Sequence, residues 1–397
     1  MPRDAPQISS IEILWGLDPK RGGITAAVPA LSAAISNNGR IQAKVIAFVP
    51  GAPRHRTRRT ATSEMITLPA GRIRWLGDFR LKAELEETIA EASVIHIHGL
   101  WQEHTITAAA VARKLHVPYI VSAHGMLDAR ALRAKRWKKE IYAAVFERGN
   151  LAGAAALRAL TRAEVDDYRR FGLKAPIAVV PNGIAFPESA DPQQFLIKFP
   201  ELANRQLILY LGRLHPKKGP DLLIRAWSRI ATRFPDAHLV VAGPDEGNTQ
   251  ASLAQLARHL GNADRITFTG MLQGEVKWGA FAAAEVFVLP SHSEGFSVAV
   301  LEAMTCTRPV IITRPCNFPE VEEHRAGLIV KPNESEIERA LIEMLTLSAT
   351  ERDAMGARGG ELVRSKYSWA SIASSMAEVY EWLSGGSQPQ SVEIHYA

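Results

Sequence analysis

Leu207-Ile208-Leu209-Tyr210-Leu211-Gly212-Arg213-Leu214-His215-Pro216-Lys217-Lys218-Gly219 runs from five apolar residues through a glycine into a basic turn, and a helical pattern starts at Asp221. An apolar run of strand length followed by an amphipathic segment is the mark of a βα unit. The same alternation continues downstream through the strand candidates His238–Ala242, Arg265–Thr269, Glu285–Leu289, Pro309–Thr313 and Gly327–Val330. Upstream it gives Ile11–Leu17, Ile41–Val49, Ser93–Ile97, Pro118–Ser122, Ala155–Leu160 and Ile177–Val180, with helical patterns such as Ile24–Asn38 and Thr105–His116 between them. Pro181-Asn182-Gly183 is a turn signal, and the Pro-punctuated stretch after it separates the two series. Two series of similar size predict an α/β protein with two doubly wound, Rossmann-like domains facing a central cleft. The expected boundaries are 1–185 for the first domain, with a linker at about 181–205, and 206–368 for the second. Residues 369–397 then supply a closing helix, Trp369–Leu383, expected to pack back on the first domain, and a tail.

Composition narrows the function classes. The 397 residues are 47% hydrophobic and 22% charged, which is ordinary for a chain that buries real cores. No run of about 18 apolar residues is present, so no membrane-spanning helix is expected. The polar, Pro-containing start lacks a secretory core, and the expected location is the cytoplasm. Two cysteines, Cys306 and Cys316, support neither a disulfide framework nor a cysteine metal site. The net charge of +6 is uneven: Met1 to Ala185 holds 27 Lys+Arg against 16 Asp+Glu, and the remainder is acidic. The basic front half favours an anionic partner, such as phospholipid headgroups, a lipid diphosphate or nucleic acid. Its concentrated parts are Arg54–Arg59, expected on a loop, and Arg130, Arg133, Lys135, Arg136, Trp137, Lys138 and Lys139. Peripheral attachment at the inner face of the cytoplasmic membrane is one reading of them, and a solvated helix face is the other. No nucleic-acid-binding signature accompanies the charge, so no nucleic-acid partner is expected.

Chemistry concentrates in loops after strand candidates. Ser291-His292-Ser293-Glu294-Gly295-Phe296-Ser297-Val298-Ala299-Val300-Leu301-Glu302 follows Val286–Leu289 and enters a helix. Exposed N–H groups at such a start bind phosphate oxygens. Glu294 is placed to accept hydrogen bonds from sugar hydroxyls, and Glu302, two turns on and expected on nearly the same helix face, to hold a ribose diol. Both are also ordinary charges for a helix start. The Gly212–Gly219 turn puts Arg213 and Lys218 beside another helix start, a pairing suited to a diphosphate. By itself it is equally a solvated basic turn. Gly22-Gly23 lies between strand and helix, where a backbone approaches a phosphate closely or simply turns. His124 follows strand Pro118–Ser122 and is expected to face the cleft, whereas His96 and His98, inside a strand, read as packed histidines.

Five segments in this order are similar to the retaining glycosyltransferases of family four, which share the GT-B two-Rossmann architecture. They are Gly22-Gly23, Ser122-Ala123-His124-Gly125-Met126-Leu127, Pro181-Asn182-Gly183-Ile184, the Gly212–Gly219 turn and the Glu294/Glu302 pair. The resemblance implies a nucleoside diphosphate sugar as donor substrate, a UDP- or GDP-hexose, and no cofactor. It makes Arg213 and Lys218 the diphosphate pair, Glu302 the ribose ligand and Glu294 the donor-sugar ligand. Gly295, Phe296, Ser297 and Val298 then support phosphate and sugar. Gly23 faces the diphosphate, His124 is the active-site histidine near the sugar, and Gly243 lies close to the nucleotide. Met271 and Leu272 fall in the base pocket. The implied reaction is metal-independent hexosyl transfer with retention, to a lipid-linked or saccharide acceptor such as a glycolipid or polysaccharide precursor. Stabilising the departing phosphate charge is then the main task. A nucleotide-sugar epimerase or hydrolase of the same fold, and a non-catalytic sugar-binding protein, are the alternatives.

Overall fold

The computed structural model describes residues 8–18, 23–49, 56–59, 64–70, 79–128, 131–132 and 136–397. Gly22, Arg54, His55, Arg130, Arg133 and Lys135 lie outside the described residues. The chain divides into two compact units, Met1–Gly183 with Trp369–Ala397, and Ile184–Ser368.

The first unit is built on β1 (Ile8–Trp15), β2 (Ile41–Val49), β3 (Arg56–Arg59), β4 (Glu64–Pro69), β5 (Val94–His98), β6 (Tyr119–Ser122), β7 (Ala156–Ala159) and β8 (Ile177–Val179). They pair in the order β8-β7-β6-β5-β1-β2-β4-β3, and the C-terminal strand Glu393–His395 pairs antiparallel to β8 at the edge. All other pairings are parallel except β3 with β4. The direction of strand addition reverses between β1 and β5, where ligand crevices form in such sheets. Parallel strands covered on both faces need continuous apolar runs. Accordingly β5 and β6 are buried at every residue. The C-terminal helix Trp369–Leu383 buries Ile372, Met376, Val379 and Tyr380 in one cluster with Ile35, Ile120 and Ala178. Arg40 pairs with Glu381 on the same helix. The basic run at Arg56–Arg59, expected on a loop, is an edge strand instead. Charged edge strands resist further pairing, which explains arginines in a strand.

The second unit contains β9 (Gln206–Leu211), β10 (Ala237–Ala242), β11 (Ile266–Gly270), β12 (Ala284–Leu289), β13 (Val310–Thr313) and β14 (Gly327–Val330). Their order is β11-β10-β9-β12-β13-β14, all parallel, with the reversal between β9 and β12. The helix Pro220–Ile230 buries Leu223, Ile224, Trp227 and Ile230 on one side, the spacing of a core-facing stripe. The stretch expected as a linker is structured. Helix Gln193–Leu196 and a 3-10 turn at Pro200–Leu202 seat Phe195 and Leu202, each 1% exposed, in this unit's core. Two of its prolines, Pro192 and Pro200, start these short helices.

Candidate active site

The second unit brings its expected site loops together at the reversal point. The turn after β9 ends in Gly219, at φ 66°, where an added Cβ would lie 2.3 Å from the Pro290 carbonyl oxygen after β12. Gly243, after β10, has φ 142°, and a Cβ there would lie 1.8 Å from the Gly212 oxygen. Only glycine permits both approaches. With the loops pressed together, Lys218 Nζ donates to Glu294 Oε1 at 2.5 Å and Oε2 at 2.6 Å. Ser291 Oγ donates to the same carboxylate at 2.5 Å. The Glu294 backbone is fixed too, its N–H on the Pro315 oxygen and its carbonyl accepting from Asn317 Nδ2, each at 2.9 Å. Glu294 is therefore a buried, oriented carboxylate, and Lys218 is only 18% exposed at its side chain.

The remaining expected residues spread around this core. Arg213 is exposed and paired with Glu246, Nη1 to Oε1 at 2.9 Å. Glu302 sits on helix Val298–Thr305 and accepts from Lys277 Nζ at 2.8 Å. Glu294 lies ahead of that helix, so the expectation of two glutamates on one helix face is corrected: Gly295, Phe296 and Ser297 are still loop. Ser297 stands at the helix N-cap, Gly295 and Val298 are exposed, and Phe296 packs partly against the core. Leu272 is buried, whereas Met271 is 58% exposed. Three cation–carboxylate pairs thus lie on the segments that follow β9, β10, β11 and β12. Lys277 and Glu246 had no signal in the sequence, because neither lies in a distinctive segment.

The first unit holds its own cluster. Gly23 is the N-cap of helix Ile24–Asn37, with ordinary helical φ of −63°. His124 is at φ 52° and Gly125 at φ 74°, a left-handed turn directly after β6. Buried Glu164 holds that turn, accepting from the Gly125 N–H at 2.6 Å and the Leu160 N–H at 2.7 Å. A non-glycine residue in this region is uncommon, histidine being among the more tolerated, and such strain clusters at functional sites. His124 Nε2 lies 3.0 Å from His98 Nδ1, and His98 Nε2 lies 2.9 Å from Glu12 Oε2. Tyr380 donates its hydroxyl to Glu12 Oε1 at 2.7 Å. His96 Nδ1 lies 2.6 Å from Tyr380 Oη and 3.1 Å from Glu12 Oε2, and its Nε2 lies 2.7 Å from Ser122 Oγ. Burial alone would raise Glu12, but the His96 and His98 imidazoles outweigh it and hold the carboxyl well below its usual range. Glu12, His96 and His98 are the one trio among the described residues grouped closely enough to hold a metal ion. Each of their ligand atoms already has a hydrogen-bond partner. Glu12 was missed, although a charge inside the apolar run Ile11–Leu17 was its signal.

Two doubly wound sheets, each with loops gathered at a reversal point, define an α/β protein of the GT-B architecture. The Glycosyl transferases group 1 family matches residues 193–361, and the Glycosyl transferase 4-like domain matches 22–183. The chain belongs to the GT-B nucleotide-sugar glycosyltransferases of this family-four type. It is 30% identical over 219 residues to the GDP-mannose-dependent alpha-(1-6)-phosphatidylinositol monomannoside mannosyltransferase of Mycobacterium tuberculosis, covering 52% of this chain and 56% of that one. A D-inositol 3-phosphate glycosyltransferase of Stackebrandtia nassauensis is 28% identical over 322 residues, 76% of this chain and 70% of the relative. The first of these alignments thus spans little more than half of the curated relative. Among solved structures, sucrose-phosphate synthase from Thermosynechococcus elongatus superposes with a TM-score of 0.73 at 21% identity, over 96% of this chain and 100% of that one. Anabaena HepE in complex with UDP and glucose gives 0.69 at 19%, over 94% and 100%. At these identities the structural likeness establishes the fold.

Proposed function

We propose that the protein transfers a hexosyl group from a nucleoside diphosphate sugar to a lipid-linked or polysaccharide-precursor acceptor, with retention of configuration. The observation that carries this is the Lys218–Glu294 pair at the reversal point of the second sheet, with Arg213 and Glu302 on the neighbouring loops. Lys218 and Arg213 supply positive charge for the leaving diphosphate, the helix start at Val298 supplies backbone N–H groups, and Glu302 suits a ribose diol. Glu294 and His124 act on the donor sugar. The chemistry needs no divalent metal in this reading, since fixed cations and a helix terminus meet the developing charge. Relatives named for GDP-mannose and neighbours solved with UDP make these two nucleotides the first donors to try. An anionic membrane surface is the proposed place of action, because a lipid-linked acceptor would be met there.

The experiment pairs a thermal-shift panel of nucleoside diphosphates with a transfer assay using GDP- and UDP-hexoses, each with and without excess chelator. A cognate nucleotide at about a hundred times its Kd stabilises by roughly 2.7 kcal/mol and raises Tm accordingly. No shift with any nucleotide would overturn the reading. Activity lost to chelator and restored by magnesium or manganese would overturn metal independence alone.

A further inference from the structure

We propose that Glu12, acting through His98, fixes the tautomer of His124, so that His124 offers Nδ1 purely as a hydrogen-bond acceptor. The sequence motifs include neither Glu12 nor a distinction between the ring nitrogens of His124. Glu12 is fully buried, and the His96 and His98 rings hold its carboxyl low against the effect of burial, so it is ionised and can only accept. His98 Nε2, at 2.9 Å from Oε2, must therefore carry a hydrogen. Burial, reinforced by repulsion from His96, pushes His98 down to about 3, so its ring is neutral and Nδ1 is a bare lone pair. His124 Nε2 faces that lone pair at 3.0 Å and must donate to it. Burial, with repulsion from His98, Arg158 and His96, pushes His124 well below the ordinary histidine range, so this ring is neutral as well. Its Nδ1 is then unprotonated, and it has no hydrogen-bond partner among the described residues.

The surroundings hold this arrangement in place. Tyr380 of the C-terminal helix donates to Glu12 Oε1, while His96 donates from Nδ1 and accepts from Ser122 at Nε2. The Arg158 guanidinium, fully buried, donates from Nε to the Val180 carbonyl and from Nη2 to the Pro181 carbonyl and Asn182 Oδ1, and adds positive potential near Glu12. The left-handed turn at His124 and Gly125, tied to Glu164, sets the ring against His98. Glu12 and His98 are positioning residues; His124 alone would meet a ligand. The chemical consequence rests on the reading of His124 as the sugar-facing histidine: an acceptor-only nitrogen selects a hydroxyl that donates, and rejects an oxygen that cannot.

The test is independent of any substrate. Full-length protein labelled with 15N-histidine is examined by two-bond 1H–15N correlation from about pH 5.5 to 8, the range in which an ordinary histidine titrates. His124→Asn identifies the signals. The wild type should show His124 as the neutral Nε2–H form throughout. A Nδ1–H form, or protonation near pH 7, overturns the proposal. Glu12→Gln should turn the single tautomer into a mixture, and His98→Phe, which removes the acceptor altogether, should do the same if the glutamine variant fails to fold. A folded variant of either kind that keeps the pure Nε2–H form also overturns it. Absence of sugar transfer by the wild type would count against the function proposed above and leave the tautomer result standing.

Discussion

At the scale of single residues, the firmest expectation concerns Lys218. It touches both oxygens of Glu294, so the two side chains act as a unit rather than as separate ligands. Lys218→Ala should fold and yet lose transfer by about a hundredfold or more, the 2.7–4 kcal/mol typical of one lost charge-stabilising donor. Because the carboxylate loses its partner at the same time, Lys218→Ala and Glu294→Gln should be strongly non-additive in kcat, as contacting residues are. Additive losses would mean that the pair has no joint role. A second residue, Glu147, makes a pH prediction. It is 1% exposed, and burial pushes it up to about 7 from an ordinary 4.5, the Trp101 N–H at 2.6 Å and the Thr105 hydroxyl at 3.3 Å offsetting only part of this. The folded state then keeps a proton that the unfolded chain releases between about pH 4.5 and 7, so stability falls as pH rises through that window and levels above it. The fall is on the order of 3 kcal/mol. Glu147→Gln, which carries no such proton, should be less sensitive by that amount when wild type and variant are melted at pH 5 and pH 8. Equal sensitivity would show that Glu147 ionises normally.

Among the elements, the helix Arg136–Tyr142 and the π-turn Ala143–Glu147 after it carry the most unusual surface. Trp137, Ile141 and Val145 recur every fourth residue and are 64%, 56% and 63% exposed, an apolar stripe rather than isolated side chains. The same helix is basic in sequence, with Arg136, Lys138 and Lys139. An interfacial helix combines these two properties. Vesicles containing phosphatidylglycerol should sediment the protein at low salt and release it at high salt, since each basic residue near the surface contributes about 1 kcal/mol. Trp137→Glu should weaken the binding without changing nucleotide affinity; unaltered sedimentation would exclude this helix as the contact. The exposure could not be read from the sequence, which gave the basic run two readings. What periodicity did reveal were the apolar elements: the strands Ile41–Val49 and Gly327–Val330 and the helix Trp369–Leu383 have the expected bounds. It missed β3 and the C-terminal strand, short and polar at the two sheet edges, and β4, an inner strand whose apolar run is broken by Thr67. The site was legible in the same uneven way. Loops with glycine and charge stood out after β9 and β12, and Glu12 was marked by its charge inside an apolar run, while Glu246 and Lys277 are defined only by what the fold brings to them.

At the scale of the whole molecule, the second unit is a continuous stretch, Ile184–Ser368, inserted into a first unit made from both ends of the chain. The two should therefore respond differently to cutting. The stretch 184–368 contains all six strands of its sheet and its own core, from Ile184 to Tyr367. It also contains Arg213, Lys218, Glu294 and Glu302. Expressed alone, it should fold and retain the nucleoside diphosphate thermal shift. A chain ending at Gly183 lacks the helix Trp369–Leu383, which covers one face of the first sheet. Ile372, Met376, Val379 and Tyr380 would be missing from that face, each worth about 1.5–3 kcal/mol when buried. Together that is roughly 6–12 kcal/mol, comparable with the whole stability of a typical domain at about 5–15 kcal/mol. The loss also strips Glu12 of its Tyr380 donor and leaves a buried carboxylate short of one hydrogen bond. Residues 1–183 alone should accordingly be aggregated or molten, and adding a peptide of residues 369–397 should recover a cooperative transition. If 1–183 folded with full cooperativity, the C-terminal helix would be an accessory and not part of the first unit's core. If 184–368 folded but bound no nucleotide that the full chain binds, essential donor contacts would have to come from the first unit.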